Sequence, residues 1–187
     1  MRSVKRTFSA TYEVKKSKFI AYITPYSNFK NLQKELKEQH PKARHIVYAY
    51  RYLNEFEQIV ENSSDDGEPK GSSGVPVLNV LRGEDFINTA ILVVRYFGGI
   101  KLGIGGLVRA YSTSAKLVIS ESESFIYEKL IRYKFKTSYS NIQKVEYILR
   151  ELNINISNRE FLSDFVLWEI EAPTAKIEEF KQKGVVS

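Results

Sequence analysis

A near-continuous apolar run, Ala90–Phe97, is followed by five glycines within residues 98–106 and then by a helical pattern. Few folds accommodate that succession. An unbroken apolar run is the mark of a strand buried on both faces. Glycines in such number are entropically costly unless the backbone needs positive φ or a close approach. Beyond them, Leu107, Tyr111, Ala115 and Val118 recur at helical spacing to about Ser120, which leaves Arg109, Thr113 and Lys116 in water. The stretch therefore predicts a central strand, a glycine-rich turn and a helix packed back on the sheet. Gly105 and Gly106 are expected at or just before the start of that helix, and valine at Gly105 would damage folding if that residue has positive φ.

Two nucleotide motifs are suggested and both fail on spacing. Gly98 and Gly103 have the P-loop interval, but Ile104-Gly105 stands where Lys and Ser or Thr are required. Gly103-Ile104-Gly105 begins a dinucleotide fingerprint that Val108 ends. What survives is general: a glycine turn entering a helix exposes backbone N–H groups at the positive end of the helix dipole, where anions bind. The candidate phosphate-binding set is Lys101, Arg109, Arg95 and the amides of Gly98, Gly99, Gly103, Gly105 and Gly106, with His45 and Arg51 at its edge.

A second conspicuous stretch is DDGEPKGSSG, residues 65–74. Asp65, Asp66, Gly67, Glu68 and Pro69 form a polar motif loop, expected beside the glycine turn at one edge of the domain. Its carboxylates suit a hard cation such as Mg²⁺, yet their spacing fits no EF-hand. A solvated turn is the simpler reading, so neither a metal nor another cofactor is assigned. His40, next to Pro41, reads as ordinary surface. Tyr48, Tyr50 and Tyr52 share one face of a strand, either stacking bases or merely covering a sheet.

Elsewhere the pattern gives strands at Thr7–Val14 and Phe19–Ile23, a helix over 28–39, strands at His45–Leu53 and Phe56–Glu61, a loop over Asn62–Gly74 and a short helix at Val75–Leu81. The pattern breaks around Glu121–Lys129, which places two domains at 1–125 and 131–187. The second reads strand (Arg132–Tyr139), helix (Asn141–Leu152), strand (Ile154–Phe161), strand (Phe165–Ala172), helix (Thr174–Lys183). That is a ferredoxin-like βαββα order without its final strand, which would begin at Gly184–Ser187.

The first 130 residues carry 19 Lys+Arg against 14 Asp+Glu, a net of +5, and the remainder 9 against 8, a net of +1. This asymmetry points weakly to a polyanion such as RNA. With no cysteine there is no disulfide framework and no thiolate site. No apolar segment is long enough to span a membrane or serve as a secretory signal, so a cytoplasmic protein is expected.

DDGEPKGSSGVPVLNVL and VVRYFGGIKLGIGGLVRAY, with His45 in ARHIVYAYR, closely resemble the signature of the IMPACT/YigZ family over residues 15–120. Lys70 departs from the small residue usual there. The resemblance implies an α+β protein with a first domain like domain 2 of ribosomal protein S5. It further implies a second domain resembling the last domain of elongation factor G. It also implies a translation-associated regulator, which is expected to bind RNA or the ribosome and not to be an enzyme. Two other readings remain: an enzyme on a small phosphorylated substrate with a metal at the DDGEP loop, and a protein-binding module.

Overall fold

The computed structural model describes residues 1–184, and contacts divide them into two compact units, Met1–Tyr127 and Glu128 onward. The strands of the first unit are β1 (Arg2–Val4), β2 (Phe8–Val14), β3 (Ser17–Pro25), β4 (His45–Leu53), β5 (Ile59–Ser64), β6 (Thr89–Tyr96) and β7 (Ser124–Ile126). Its helices are α1 (Phe29–Gln39), α2 (Gly74–Gly83) and α3 (Ile104–Ser120). Strands β2-β3-β6-β4-β5 form one antiparallel sheet in that order. The apolar run of β6 lies at its centre, and every residue from Thr89 to Arg95 is buried.

Alternation along the strands sends side chains to two cores. Val47, Ala49, Ile91 and Val93 face α2 and α3, while Ile46, Ala90, Leu92 and Val94 face α1. The α3 stripe of Leu107, Tyr111, Ala115 and Val118 fills the first core, and Arg109, Thr113 and Lys116 are exposed as their spacing predicts. Of the three tyrosines of β4, Tyr48 and Tyr50 pack against the second core and Tyr52 joins them through Tyr26. Tyr52 stacks on Tyr26 with centroids 4.0 Å apart, and Phe29 packs on Tyr48 and Tyr50. They cover the sheet beneath α1. His40 likewise is half-buried, between the hydroxyls of Tyr96 (2.9 Å) and Tyr22 (3.2 Å), and is not plain surface.

Some boundaries differ from the sequence reading, for physical reasons. The β2–β3 turn is only Lys15-Lys16, both at positive φ, because Val14 and Ser17 already pair. That is the dihedral signature of a tight hairpin turn of the primed kind. Strand β5 is displaced toward the loop, since Tyr48 pairs with Ser64 and draws Asn62–Ser64 into the sheet. Strands β1 and β7 pair with each other across more than a hundred residues and are too short to show periodicity.

The second unit runs β8 (Leu130–Thr137), α4 (Ile142–Glu151), β9 (Asn155–Phe161), β10 (Val166–Pro173), α5 (Thr174–Gln182). Among the described residues its antiparallel sheet has three strands in the order β8-β10-β9, the arrangement of the first three strands of a ferredoxin-like half-sandwich. Trp168 is fully buried at its centre, stacked against Phe135 with its indole N–H donating to Thr137 Oγ1 at 2.8 Å. Val145 and Leu149 of α4 are buried in the same core, each contributing about 1.5–3 kcal/mol. The expected start of a further strand lies, beyond Gly184, outside the described residues. The molecule is thus an α+β protein.

Candidate functional site

Antiparallel register sets His45 opposite Arg95, and Arg95 opposite Phe19, in one row on the α2–α3 face of the sheet. Arg95 is therefore a charged residue on a core-facing position. Its guanidinium lies over the rings of Phe19 and Phe97, 5.5 and 5.7 Å from their centroids. A charge so placed needs a partner. Glu68 supplies it from the motif loop: Arg95 Nη1 donates to Oε1 at 2.6 Å, with the two side chains 8% and 3% exposed. The hydroxyl of Tyr111, from α3, donates to the same oxygen at 2.8 Å. Burial and the adjacent Glu68 carboxylate push the Tyr111 phenol far above its ordinary range, so it remains a donor. Arg95 Nε is buried yet has no acceptor among the described residues, a condition that costs about 1–3 kcal/mol for a polar group.

The other motif-loop acids are equally committed. Asp66 Oδ2 accepts the Ile46 N–H at 2.6 Å, and its carbonyl accepts from His45 Nδ1 at 2.7 Å. A carbonyl can only accept, so Nδ1 carries a proton, and in the neutral ring that leaves Nε2 as the acceptor. Asp65 closes the N-terminus of α2, accepting N–H bonds from Gly71, Ser73 and Gly74 and the Ser73 hydroxyl, at 2.7–3.1 Å. Burial alone raises its carboxyl pKa, but these donors outweigh that and hold it below the usual carboxylate range. With Asp65, Asp66 and Glu68 each engaged by a different partner, no three metal-ligating side chains converge among the described residues. The alternative of a metal at this loop therefore has no ligand cluster behind it among the described residues.

Asp65→Ala is expected to lower stability by about 2 kcal/mol through loss of this cap. Because the folded pKa is depressed, the contribution is complete above the ordinary carboxylate value of about 4 and disappears as pH falls through the lowered folded value. Urea titrations of both proteins at descending pH check this. The gap between them should close in acid, and a gap independent of pH would contradict the assignment.

Helix α3 offers the opposite case. Its N-cap is Gly103, at φ 72°, and no side chain caps it. Leu107 N–H bonds to the Gly103 carbonyl, which leaves the amides of Ile104, Gly105 and Gly106 as the free donors of the first turn. The helix thus begins earlier than the sequence suggests. Gly105 and Gly106 lie inside its first turn, and Gly105 is not at positive φ. The left-handed positions are Gly99 and Gly103, which no L side chain adopts without strain.

Both loops line one cavity of about 480 Å³. Glu68 and Pro69 come from one, Lys101, Gly103 and Ile104 from the other, and Arg44, His45 and Arg95 from the strand ends. Lys101 is exposed at its rim. Arg109 is exposed on α3, its Nη1 3.7 Å from where a Cβ on Gly105 would lie, beside the first turn and outside the cavity lining. Gly98 and Gly99 lead into the cavity loop.

Two expectations need correction here. Arg51 is not at the edge of this cavity. It is buried six residues along β4 from His45, roughly 20 Å at strand spacing. There it pairs with Glu61 at 2.7 Å and donates to the carbonyls of Phe86 and Leu81 at the end of α2. Strand alternation puts it on the core face, so its role is structural. Arg95, expected as an open cation, is instead neutralised by Glu68. Arg44, Phe97 and Tyr111 also belong to the site; they stand inside the motif stretches, yet nothing in the residues assigned them a binding role. Alternation could have marked Arg95 as inward-facing, and a buried arginine calls for an acid and a further hydrogen-bond partner.

Against this geometry, residues 15–119 match the family model of the Impact N-terminal domain, and residues 135–183 match a domain of unknown function (DUF1949). The IMPACT family member of Haemophilus influenzae is 32% identical over 83% of this chain and 77% of its own length. IMPACT family member YigZ of Escherichia coli is 32% identical over 91% and 85%, and YvyE of Bacillus subtilis 38% over 74% and 64%. A crystal structure described as that of a hypothetical protein superposes with a TM-score of 0.67 at 30% identity, covering 97% of this chain and 89% of the other.

Proposed function

Because the chain belongs to the IMPACT family, we propose that it is a translation-associated regulator that holds the phosphate backbone of RNA, free or in the ribosome, at the start of α3. The observation that carries this reading is the uncapped first turn of α3, open to a cavity that Lys101 and Arg44 flank with positive charge. The contrast with α2 supports it. There the same dipole end is filled by the chain's own Asp65 carboxylate, which displays the chemistry the α3 turn would accept from outside. Lys101 supplies a mobile point charge, and Arg109 flanks the helix.

The test is binding of RNA and co-sedimentation with ribosomes across a salt series. Release of counterions makes affinity fall steeply with salt when phosphates are neutralised. Lys101→Ala should weaken binding and reduce the salt slope by about one phosphate contact, while changing stability by about 0.5 kcal/mol or less. Unaltered affinity and slope in that variant would mean that the glycines serve the turn alone.

A further inference from the structure

We propose that the cavity at the start of α3 is a subsite for one unpaired nucleotide of single-stranded RNA, an inference that deepens the RNA reading above and rests on it. A phosphate alone needs donors, and Lys101 with the uncapped first turn of α3, which reaches the cavity at Ile104, provides them. The cavity is far larger than that, and much of its wall is apolar: Pro69, Phe97, Leu102, Ile104 and Leu107. Phe97 and Ile104 are 53% and 65% exposed. Apolar groups at the mouth of a concave site indicate a ligand with an apolar body as well as a charged end.

Arg95 gives an independent sign of a missing partner. It lines the cavity, is 7% exposed, and its buried Nε donates to nothing among the described residues. Phe97 lies over the same guanidinium, so a ring that turns to stack on a base uncovers a donor for a ligand oxygen. His45 adds the complementary function. With Nδ1 fixed on the Asp66 carbonyl, its other nitrogen accepts from a ribose hydroxyl or a base amine. An anion, a flat apolar ring and a hydrogen-bond donor together make a nucleotide. Bases within a duplex are stacked and paired, so they cannot enter.

The experiment is fluorescence anisotropy of the full chain with a labelled ten-nucleotide RNA, single-stranded or annealed to its complement, competed by a mononucleotide or by inorganic phosphate. The single strand is expected to bind at least about tenfold more tightly than the duplex. Phe97→Ala should lower single-strand affinity about tenfold by loss of one stacked base with the salt slope unchanged, and Phe97→Tyr should restore it. The mononucleotide should compete better than phosphate. If Phe97→Ala has no effect and duplex binds equally while Lys101→Ala still flattens the slope, the nucleotide subsite is overturned and the phosphate reading stands. If neither RNA binds, both fall.

Discussion

Glu68→Ala is expected to destabilise the Met1–Tyr127 unit by about 3–5 kcal/mol, the cost of leaving a buried charge without its partner. The variant strands two groups at once, since Arg95 Nη1 and the Tyr111 hydroxyl both use Oε1. Tyr111, fully buried against Phe19, cannot turn to water, and Arg95, held between Phe19 and Phe97, reaches it only where Phe97 moves aside. Glu68→Gln keeps an acceptor for the phenol and should cost less. Urea unfolding followed by far-ultraviolet circular dichroism measures the loss. The single tryptophan, Trp168, is in the other unit, so its fluorescence gives an internal reference. A shift below about 1 kcal/mol would show that Arg95 finds another partner when Glu68 is removed.

Gly98→Ala should cost about 3 kcal/mol, the upper part of the range for overpacking, and should also weaken RNA binding. A Cβ at this position would lie 2.0 Å from the Lys16 carbonyl carbon and 2.3 Å from the Ser17 nitrogen. These are backbone atoms of the hairpin turn, which cannot rotate aside as a side chain can. Gly98 N–H also donates to Ser17 Oγ at 3.1 Å. To admit a methyl group the cavity loop must lift from the turn. Gly105→Ala is the control, since its Cβ would meet only the end of Arg109 at 3.7 Å. Alanine there should be neutral or slightly stabilising within the helix. Equal effects at both positions would refute the close-approach account of Gly98.

The sequence made the elements legible where burial imposes a period. The β6 run and the α3 stripe appear where spacing puts them, as does the βαββα order around Trp168. The partners were hidden. Glu68 and Arg95 lie 27 residues apart on a loop and a strand, and nothing local links them. The acids of the motif loop looked alike in the sequence. Only the fold sends Asp65 to a helix end, Asp66 to a strand amide and Glu68 into the core. Arg51 misled for the same reason: near His45 in the chain, it is separated from it by the straightness of a strand. The glycines too divide by task, one pressed against another backbone, two in left-handed turns and two in a helix.

The pairing of β1 with β7 has a consequence for the order in which the molecule is made. Arg2–Val4 meets Ser124–Ile126, the Met1 carbonyl accepts from Tyr127, and Ile87 N–H reaches the Arg2 carbonyl. Arg2–Val4 is therefore made well before the strand that it pairs with. At about 5–20 residues per second, some 120 residues take roughly 6–25 s to follow. Over that interval Val4, which is buried in the finished core, lacks its strand partner Ser124. The five-stranded sheet can assemble in the meantime, β6 joining the β2–β3 pair to the β4–β5 pair, while this clasp still lacks its second strand.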